Sequence, residues 1–268
     1  MKKSLLLLCG LLIATASQAQ TQPGFELGVE AFDYGYHERV EGETVANDDG
    51  RFAGLDVGYT KKFDNAIFLR GRFALDLGSV DYTADAGETQ LNDVTQGIGQ
   101  LEFHAGRDFR LAHRATLSPF VGLGVRVLVD DSGGEETTNG MAGYDRTVSY
   151  RYVPIGVAAG LPLRGDTSLV VSAQYNWLIS GKVESKLSDI DPSVPDVTVD
   201  LNDGSGYELS AVLRRKHVSF GPFLRSWKVD PSQSFVIDDP DGSDGIVLEL
   251  FEPANRTREA GIRVSFTF

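Results

Sequence analysis

The chain ends in the sequence Arg258-Glu259-Ala260-Gly261-Ile262-Arg263-Val264-Ser265-Phe266-Thr267-Phe268, in which apolar and polar residues alternate. The apolar side chains occupy the even positions from 260 to 268, and the odd positions carry polar side chains or glycine. A period of two is typical of a β-strand with one apolar face. A bare strand of this kind would pair with other chains, whereas in a membrane barrel it pairs with the first strand of its own chain. The stretch therefore predicts the closing strand of a transmembrane β-barrel.

The same segment resembles the C-terminal signal of Gram-negative outer-membrane barrel proteins, in which a polar residue and a glycine precede alternating hydrophobic residues and a terminal phenylalanine. The residues that carry the resemblance are Gly261, Val264, Phe266 and Phe268. The resemblance implies that the segment is an assembly signal, that the barrel-assembly machinery and periplasmic chaperones handle the chain, and that it resides in the cell outer membrane.

The N-terminal residues predict export. Lys2 and Lys3 precede an apolar run, and the small residues around Ala19 suit a cleavage site. We predict a signal peptide over residues 1–19 and one outer-membrane β-barrel domain over residues 20–268. The single cysteine, Cys9, lies in the signal peptide, so the barrel domain has no thiol for a disulfide, a nucleophile or a metal site.

Composition narrows the class of protein. The chain has 38 acidic and 25 basic residues, with a net charge of −13. Nucleic-acid phosphates require basic grooves, so we expect no nucleic-acid partner. Thirty glycines and ten prolines suit short strands separated by turns, which favours an all-β fold.

Ten segments of alternating hydrophobicity follow one another along the chain. Each is near the roughly 9–11 residues that a tilted transmembrane strand needs, and an even count suits a bacterial barrel. We predict an antiparallel up-and-down transmembrane barrel of about ten strands, with eight strands plus an extracellular hairpin as the alternative count and a soluble β-sandwich as the alternative fold. The segments are residues 24–36, 51–62, 66–78, 94–108, 116–130, 147–161, 168–180, 206–215, 217–229 and 258–268.

The connections between these segments alternate in length. Bacterial barrels have short periplasmic turns and long extracellular loops. Short links occur at residues 61–65, 109–115, 161–166 and 214–217, and longer acidic ones occur near residues 37–50, 79–93, 131–146, 181–205 and 230–257. The pattern predicts four periplasmic turns and five acidic extracellular loops. Pro154, in the sixth segment, is interpreted as a bulge.

The inward positions of the strands collect charges of both signs. Charges inside a narrow barrel must be paired or hydrated, because an isolated buried ion is costly. A small barrel fills with side chains, so we interpret the set as an ion-paired plug, with the lining of a selective pore as the rival interpretation. The predicted lumen charge network is Glu26, Glu30, Asp56, Arg70, Arg72, Asp76, Glu102, Arg126, Glu208, Arg225, Glu259 and Arg263.

His37 is the only histidine on the predicted outer side, close to Asp33, Glu38 and Asp48. Barrel hydrolases place a histidine with a carboxylate or serine at the outer rim, and the omptin proteases pair an Asp-x-His with two further aspartates. The fourth outer loop here contains aspartates but no histidine. One histidine among many carboxylates is a weak signal for acid–base chemistry, and we do not expect an enzyme.

The last outer loop contains a weak candidate for calcium. Its sequence Asp238-Asp239-Pro240-Asp241-Gly242-Ser243-Asp244-Gly245 resembles the oxygen-rich turns that bind Ca²⁺, with Asp239, Asp241 and Asp244 as the ligands. The glutamate that completes the usual pattern is missing, which favours a solvated acidic turn. No other cofactor is expected.

Aromatic residues near the predicted strand ends are interpreted as interfacial belts. Trp227 shares its parity with Arg225, so its side chain is assigned either to the lumen or to the outer rim. The predicted belt residues are Tyr34, Tyr36, Tyr59, Phe63, Phe109, Tyr150, Tyr152, Trp177, Phe266 and Phe268.

As a whole the chain resembles the small, porin-like outer-membrane barrels. The hypothesis that follows is a structural or surface-interaction protein with a side-chain-filled lumen. A narrow passive channel and an outer-rim hydrolase or protease are the alternatives. The expected partners are outer-membrane lipids and lipopolysaccharide, the barrel-assembly machinery, and a ligand on host or other cell surfaces.

Overall fold

The chain forms a closed antiparallel β-barrel of ten strands in a computed structural model that describes residues 21–238 and 247–268. Each strand pairs with the next, and the last returns to the first. The predicted ten-stranded barrel is confirmed, and the eight-stranded count and the sandwich are wrong. The strands are β1 (Gly24–Val40), β2 (Glu43–Lys62), β3 (Ile67–Ala84), β4 (Thr89–Arg107), β5 (Thr116–Asp131), β6 (Arg146–Pro162), β7 (Thr167–Ser185), β8 (Gly204–Arg215), β9 (Val218–Val229) and β10 (Ala254–Thr267).

The described residues include short 3-10 turns, and none of their helices is long and apolar enough to cross a membrane. Short strands outside the barrel wall are Phe109–Arg110 in a turn, Val197–Leu201 beside the end of β7, and the hairpin formed by Phe235–Asp238 and Val247–Leu250.

Strands β1 and β10 close the barrel. Their register runs from Glu26 opposite Thr267 to Arg39 opposite Ala254. Beyond the ladder, the backbone N–H of Phe268 donates to the carbonyl oxygen of Phe25 at 2.8 Å. The C-terminal stretch is therefore the closing strand, paired on both edges with β9 and β1, as a lipid environment requires.

The outer face of the wall is apolar. Leu77, Leu123 and Trp177 are each more than 60% exposed, which would be unusual over so wide an area in a water-soluble protein. We call these outward side chains the apolar band. Its large members include Leu27, Val29, Leu55, Leu69, Phe73, Leu75, Leu77, Leu101, Phe103, Val121, Leu123, Val125, Ile155, Val171, Tyr175, Trp177, Leu209, Leu213, Phe220, Leu224, Ile262 and Val264.

The strands continue past the apolar band on the side of the longer connections. Asp33 and Arg51 form an exposed ion pair at 3.2 Å on the outer wall, yet β1 and β2 continue beyond them to a two-residue turn. The turn residues Glu41 and Gly42 both have positive φ, at 52° and 90°, as a type I′ hairpin turn requires. The segments predicted as loops near residues 37–50 and 79–93 are therefore mostly paired strand.

The sequence pattern missed these extensions for a physical reason. Beyond the hydrocarbon region the outward face of a strand is in contact with water and carries polar side chains, so the pattern of outward apolar residues ends while backbone pairing continues. The predicted bulge at Pro154 is also wrong, because Pro154 pairs in register with Asn176 and the irregularity lies between Arg151 and Tyr152.

Gly261 allows the closing strand to lie against β1. A Cβ at this position would overlap the backbone oxygen of Ala31 and the Cβ of Phe32. We predict that Gly261→Ala lowers the free energy of unfolding by about 1–3 kcal/mol, the usual cost of overpacking. Urea unfolding in detergent, followed by heat-modifiable migration on gels, measures the change.

The matched control is Gly99→Ala, because no heavy atom lies within 4 Å of the Cβ position at Gly99. Equal stability of the two variants would show that the close approach at Gly261 does not constrain closure.

Candidate functional site in the lumen

Arg72 is the first centre of the lumen network. Its Nε donates to Asp56 Oδ2 at 2.5 Å, and its Nη1 lies 3.4 Å from Glu102 and 3.7 Å from Glu208. Its Nη2 lies 3.6 Å from Glu30. One guanidinium therefore contacts carboxylates from four different strands, which the alternation of inward side chains makes possible.

Glu30 is the second centre, and its side chain is fully buried. Arg225 Nη2 donates to its Oε1 at 2.5 Å, and Arg263 Nε donates to its Oε2 at 2.7 Å. Arg225 also lies 2.6 Å from Glu259, which in turn binds Arg126. These contacts join Arg72, Glu30 and Glu259 into one continuous ion network across the lumen.

The structure joins nine of the twelve sequence-predicted residues into this network. The pair Arg70–Glu26 lies apart, separated by 3.5 Å and partly exposed. Asp76 is fully buried, and neither of its carboxylate oxygens has a hydrogen-bond partner among the described residues. An ionised carboxylate in that position is costly, so Asp76 is the least compensated member of the set.

Aromatic and aliphatic side chains fill the lumen above the ion network. Two buried clusters lie there, and Trp227 packs between Tyr150 and Tyr152 with ring centroids 5.1 and 4.9 Å away. The main members are Phe32, Tyr34, Tyr36, Phe52, Val80, Leu91, Val94, Ile98 and Phe223 in one cluster and Val148, Tyr150, Tyr152, Leu178, Val183, Leu201, Trp227 and Val229 in the other.

The assignment of four tyrosines to the interfacial belt is wrong. Tyr34, Tyr36, Tyr150 and Tyr152 are buried in the lumen, and Tyr152 is fully buried. The alternation along β1 already indicates the inward position of Tyr34, because Tyr34 lies on the same face of the strand as Glu30. The remaining predicted belt residues are exposed on the wall or in turns: Tyr59, Phe63, Phe109, Trp177, Phe266 and Phe268.

Arg225 connects the two layers. Its guanidinium lies 4.6 Å from the ring centroid of Phe223 and 5.0 Å from that of Phe32. Cation–π attraction strengthens when water is excluded, as it is here. The aromatic layer therefore covers the ion network instead of merely occupying space above it.

At the extracellular mouth, Arg146 holds a second ion cluster. Its Nη1 donates to Glu38 at 2.9 Å, its Nη2 binds Glu252, and the Tyr36 hydroxyl also donates to Glu38, at 2.8 Å. Glu252 lies in the last extracellular connection. Burial raises its pKa above the ordinary value, Arg146 opposes this effect, and Glu38 adds to it, because one guanidinium serves two carboxylates.

Cavities lie at both ends of the lumen within the described part of the chain. The periplasmic one has a volume of about 150 Å³ and is lined by charged and hydroxyl side chains that include Arg70 and His104. The extracellular one is about 30 Å³ and is lined by Asp48 and Asp130, among others. The two share no lining residue, and the fully buried members of the network lie between them.

The other candidate residues lie elsewhere. His37 faces outward from β1, and its Nδ1 lies 2.5 Å from the amide oxygen of Asn47. The calcium candidates Asp239, Asp241 and Asp244 lie outside the described residues. Among residues 21–238 and 247–268, no group of three His, Cys, Asp or Glu side chains is arranged to hold a metal ion.

A closed ten-stranded barrel with an apolar outer band and an ion-paired interior is an outer-membrane barrel of Gram-negative type. The model of the family described as "Outer membrane protein beta-barrel domain" matches residues 4–202, well over half of the sequence. The chain belongs to this family. The protein is therefore located in the cell outer membrane, with its wall in contact with membrane lipids.

Several solved structures of outer-membrane proteins are similar to this chain. The outer membrane protease OmpT from Escherichia coli is similar with a TM-score of 0.57 at 10% identity, over 93% of this chain and 100% of that chain. OprG from Pseudomonas aeruginosa has a TM-score of 0.37 at 8% identity, over 93% and 99% of the two chains. Neisserial surface protein A has 0.34 at 13% identity, over 91% and 97%. At these identities the likeness to OmpT concerns the fold alone. No curated protein matches the sequence significantly.

The burial of Glu30 among three arginines makes its charge essential to the network. We predict that Glu30→Gln lowers the free energy of unfolding by about 3–5 kcal/mol, because it removes the buried charged acceptor to which Arg225 and Arg263 hydrogen-bond. Urea unfolding of the detergent-solubilised protein measures this cost.

Glu26→Gln is the matched control. Its ion pair with Arg70 is longer and partly exposed, so its loss should cost under about 1 kcal/mol. An equally small effect of Glu30→Gln would mean that the buried network contributes little to stability.

Proposed function

We propose that the protein is a non-conducting outer-membrane barrel with a structural or surface-interaction role. The observation that carries this proposal is the ion network of Arg72, Glu30 and Glu259, which lies between two cavities that share no lining residue. A solute crossing the lumen would have to separate these ion pairs and displace the aromatic layer above them. Both steps are costly in a site from which water is excluded.

The connections on the extracellular side support the surface-interaction part of the proposal. Gly133 N donates to Asp145 at 2.9 Å, and Asp145 N donates to Asp189 at 3.0 Å, which ties the β5–β6 connection to the β7–β8 connection. Lys186 lies 3.1 Å from Asp145, and this hydrogen-bonded contact raises the pKa of Lys186. We call residues 132–145 and 186–203 the acidic platform.

The acidic platform is hydrogen-bonded and charged, two properties that suit recognition. Glu135, Glu136, Asp191 and Asp196 are exposed on it. A surface that is ordered before binding has less conformational entropy to lose in a complex. The partner we propose is a molecule with basic groups on a host cell or a neighbouring bacterium, and the barrel-assembly machinery is the partner during insertion.

Conductance in planar lipid bilayers tests the blocked lumen. We predict that the purified full-length protein gives no stable open-channel steps, because the ion network and the aromatic layer lie across the lumen. A general porin reconstituted in the same bilayer is the positive control. Stable steps from this protein at comparable insertion levels would favour the narrow-channel alternative and reject the plug.

Cell adhesion tests the acidic platform. We predict that a strain displaying the protein adheres to epithelial cells or to itself, and that Glu135→Gln combined with Glu136→Gln reduces this adhesion. Glu41→Gln combined with Glu43→Gln is the control, because these exposed glutamates lie on the β1–β2 turn. Adhesion equal to that of a strain without the protein would reject the role.

We propose further that the protein is not an enzyme. The hydrogen-bond partner of His37 is the amide oxygen of Asn47, whereas the Ser-His-Asp arrangement of many hydrolases orients its histidine with a carboxylate. We predict that the purified protein and its His37→Ala variant show the same background in peptidase and lipid-hydrolase assays. Hydrolysis that disappears in the variant would establish the rim-hydrolase alternative.

A further inference from the structure

A groove with basic walls runs along the outside of the barrel at the seam where β9, β10 and β1 meet. It has a volume of about 450 Å³. Lys228 lies opposite Arg256 in the β9–β10 register, and Arg256 lies opposite His37 in the β10–β1 register. The lining includes Lys228, Arg256, Arg258, Arg39, His37 and Asn47. We call it the seam groove.

The height of the seam groove matches the headgroup region of the outer leaflet. On β10, Ala260 and Ile262 belong to the outward apolar face, and Arg258 is the next outward residue. Outward residues on a strand are roughly 7 Å apart, so Arg258 and Arg256 lie about 7 and 13 Å beyond Ala260. The polar headgroup layer of a bilayer extends roughly 5–8 Å beyond the hydrocarbon on each side, which the long arginine side chains can reach.

Among the described residues, the basic side chains of the seam groove are mostly unpaired, unlike the arginines of the lumen. Within the described part of the chain, Arg39, Arg256 and Arg258 form no ion pair, and Lys228 contacts Asp230 at 3.0 Å. All four basic side chains are exposed. Adjacent strands are about 4.8 Å apart, so the basic groups converge on one small area. This basic surface is unexpected on a chain with a net charge of −13.

Phosphate is the group that such a site recognises best. Arginine presents several N–H donors in a planar fork that fits phosphate oxygens, and lysine adds a compact positive charge. The neutral side chains of Asn47 and Thr44 in the lining offer further hydrogen bonds. A glycolipid with phosphates on its headgroup can place acyl chains on the apolar wall below and phosphates in the groove above.

We propose that the seam groove binds the phosphate groups of an anionic outer-leaflet lipid of the lipopolysaccharide class. This site rests on the outer-membrane location and on the lipid partner expected for the protein. It does not require a blocked lumen or a functional acidic platform. Lys228, Arg256 and Arg258 supply the positive charge, and the apolar band below them holds the acyl chains.

Native mass spectrometry of the full-length protein in detergent tests the proposal with three probes: bisphosphorylated lipid A, dephosphorylated lipid A and inorganic pyrophosphate. We expect tight binding of the bisphosphorylated lipid only. Arg256→Glu combined with Arg258→Glu should weaken it by about tenfold or more, the effect expected for two basic contacts with an anionic lipid.

Arg151→Glu combined with Lys182→Glu is the matched control. Lys182 on β7 pairs with Ser149 on β6, two residues from Arg151. Both basic residues are exposed on the opposite wall, and their substitution gives the same change in net charge. Heat-modifiable migration verifies that each variant is folded. Equal binding of the dephosphorylated lipid, equal binding of pyrophosphate, or an equal loss in the control variant would each overturn the proposal.

Discussion

The interaction on which the rest of the structure depends is the compensation of Glu30 by three arginines. The wall around the lumen faces lipid, so a charge in the centre of the barrel has no bulk water on either side of the strand that carries it. Its free energy is acceptable only if guanidinium groups from other strands reach it. Arg225 and Arg263 hydrogen-bond to Glu30, and Arg72 lies 3.6 Å away. The three guanidinium groups come from β3, β9 and β10, so the requirement constrains the stagger that brings these positions to the level of Glu30.

The aromatic layer follows from the same requirement. Water that entered from the extracellular end would weaken each ion pair, because electrostatic attraction falls as the local dielectric rises. Phe32, Phe223 and Trp227 fill that end and exclude water from the guanidinium of Arg225 below them. The outer ion cluster around Arg146 then connects the extracellular connections to the filled barrel. The stability of the barrel and the proposed blockage of its lumen would therefore have one physical origin.

The fold and the inner and outer faces could be predicted from the sequence because both depend on a period of two. Ten segments, strand closure by residues 258–268 and the inward position of Glu30 all follow from it. The partners of each charge could not be predicted, because they depend on the stagger of the strands. Arg126 binds Glu259, 133 positions away. Residue type alone predicts an interfacial position for Tyr34 and Tyr36, whereas the even parity that they share with Glu30 places them in the lumen. The extensions of the strands beyond the apolar band could not be predicted, because the outward apolar residues end where the outer face of the wall meets water.

The two faces of the wall show how the same residue type acquires opposite roles. An arginine inside the barrel must be paired, since its transfer from water is costly, and Arg225 has two carboxylates and two aromatic rings around it. An arginine outside, above the apolar band, keeps its hydration and needs no partner from the chain. Arg256 and Arg258 therefore contribute little to folding, because exposed charges have small effects on stability. Their convergence at one seam supports the proposed lipid site, because the neighbouring apolar surface suits acyl chains.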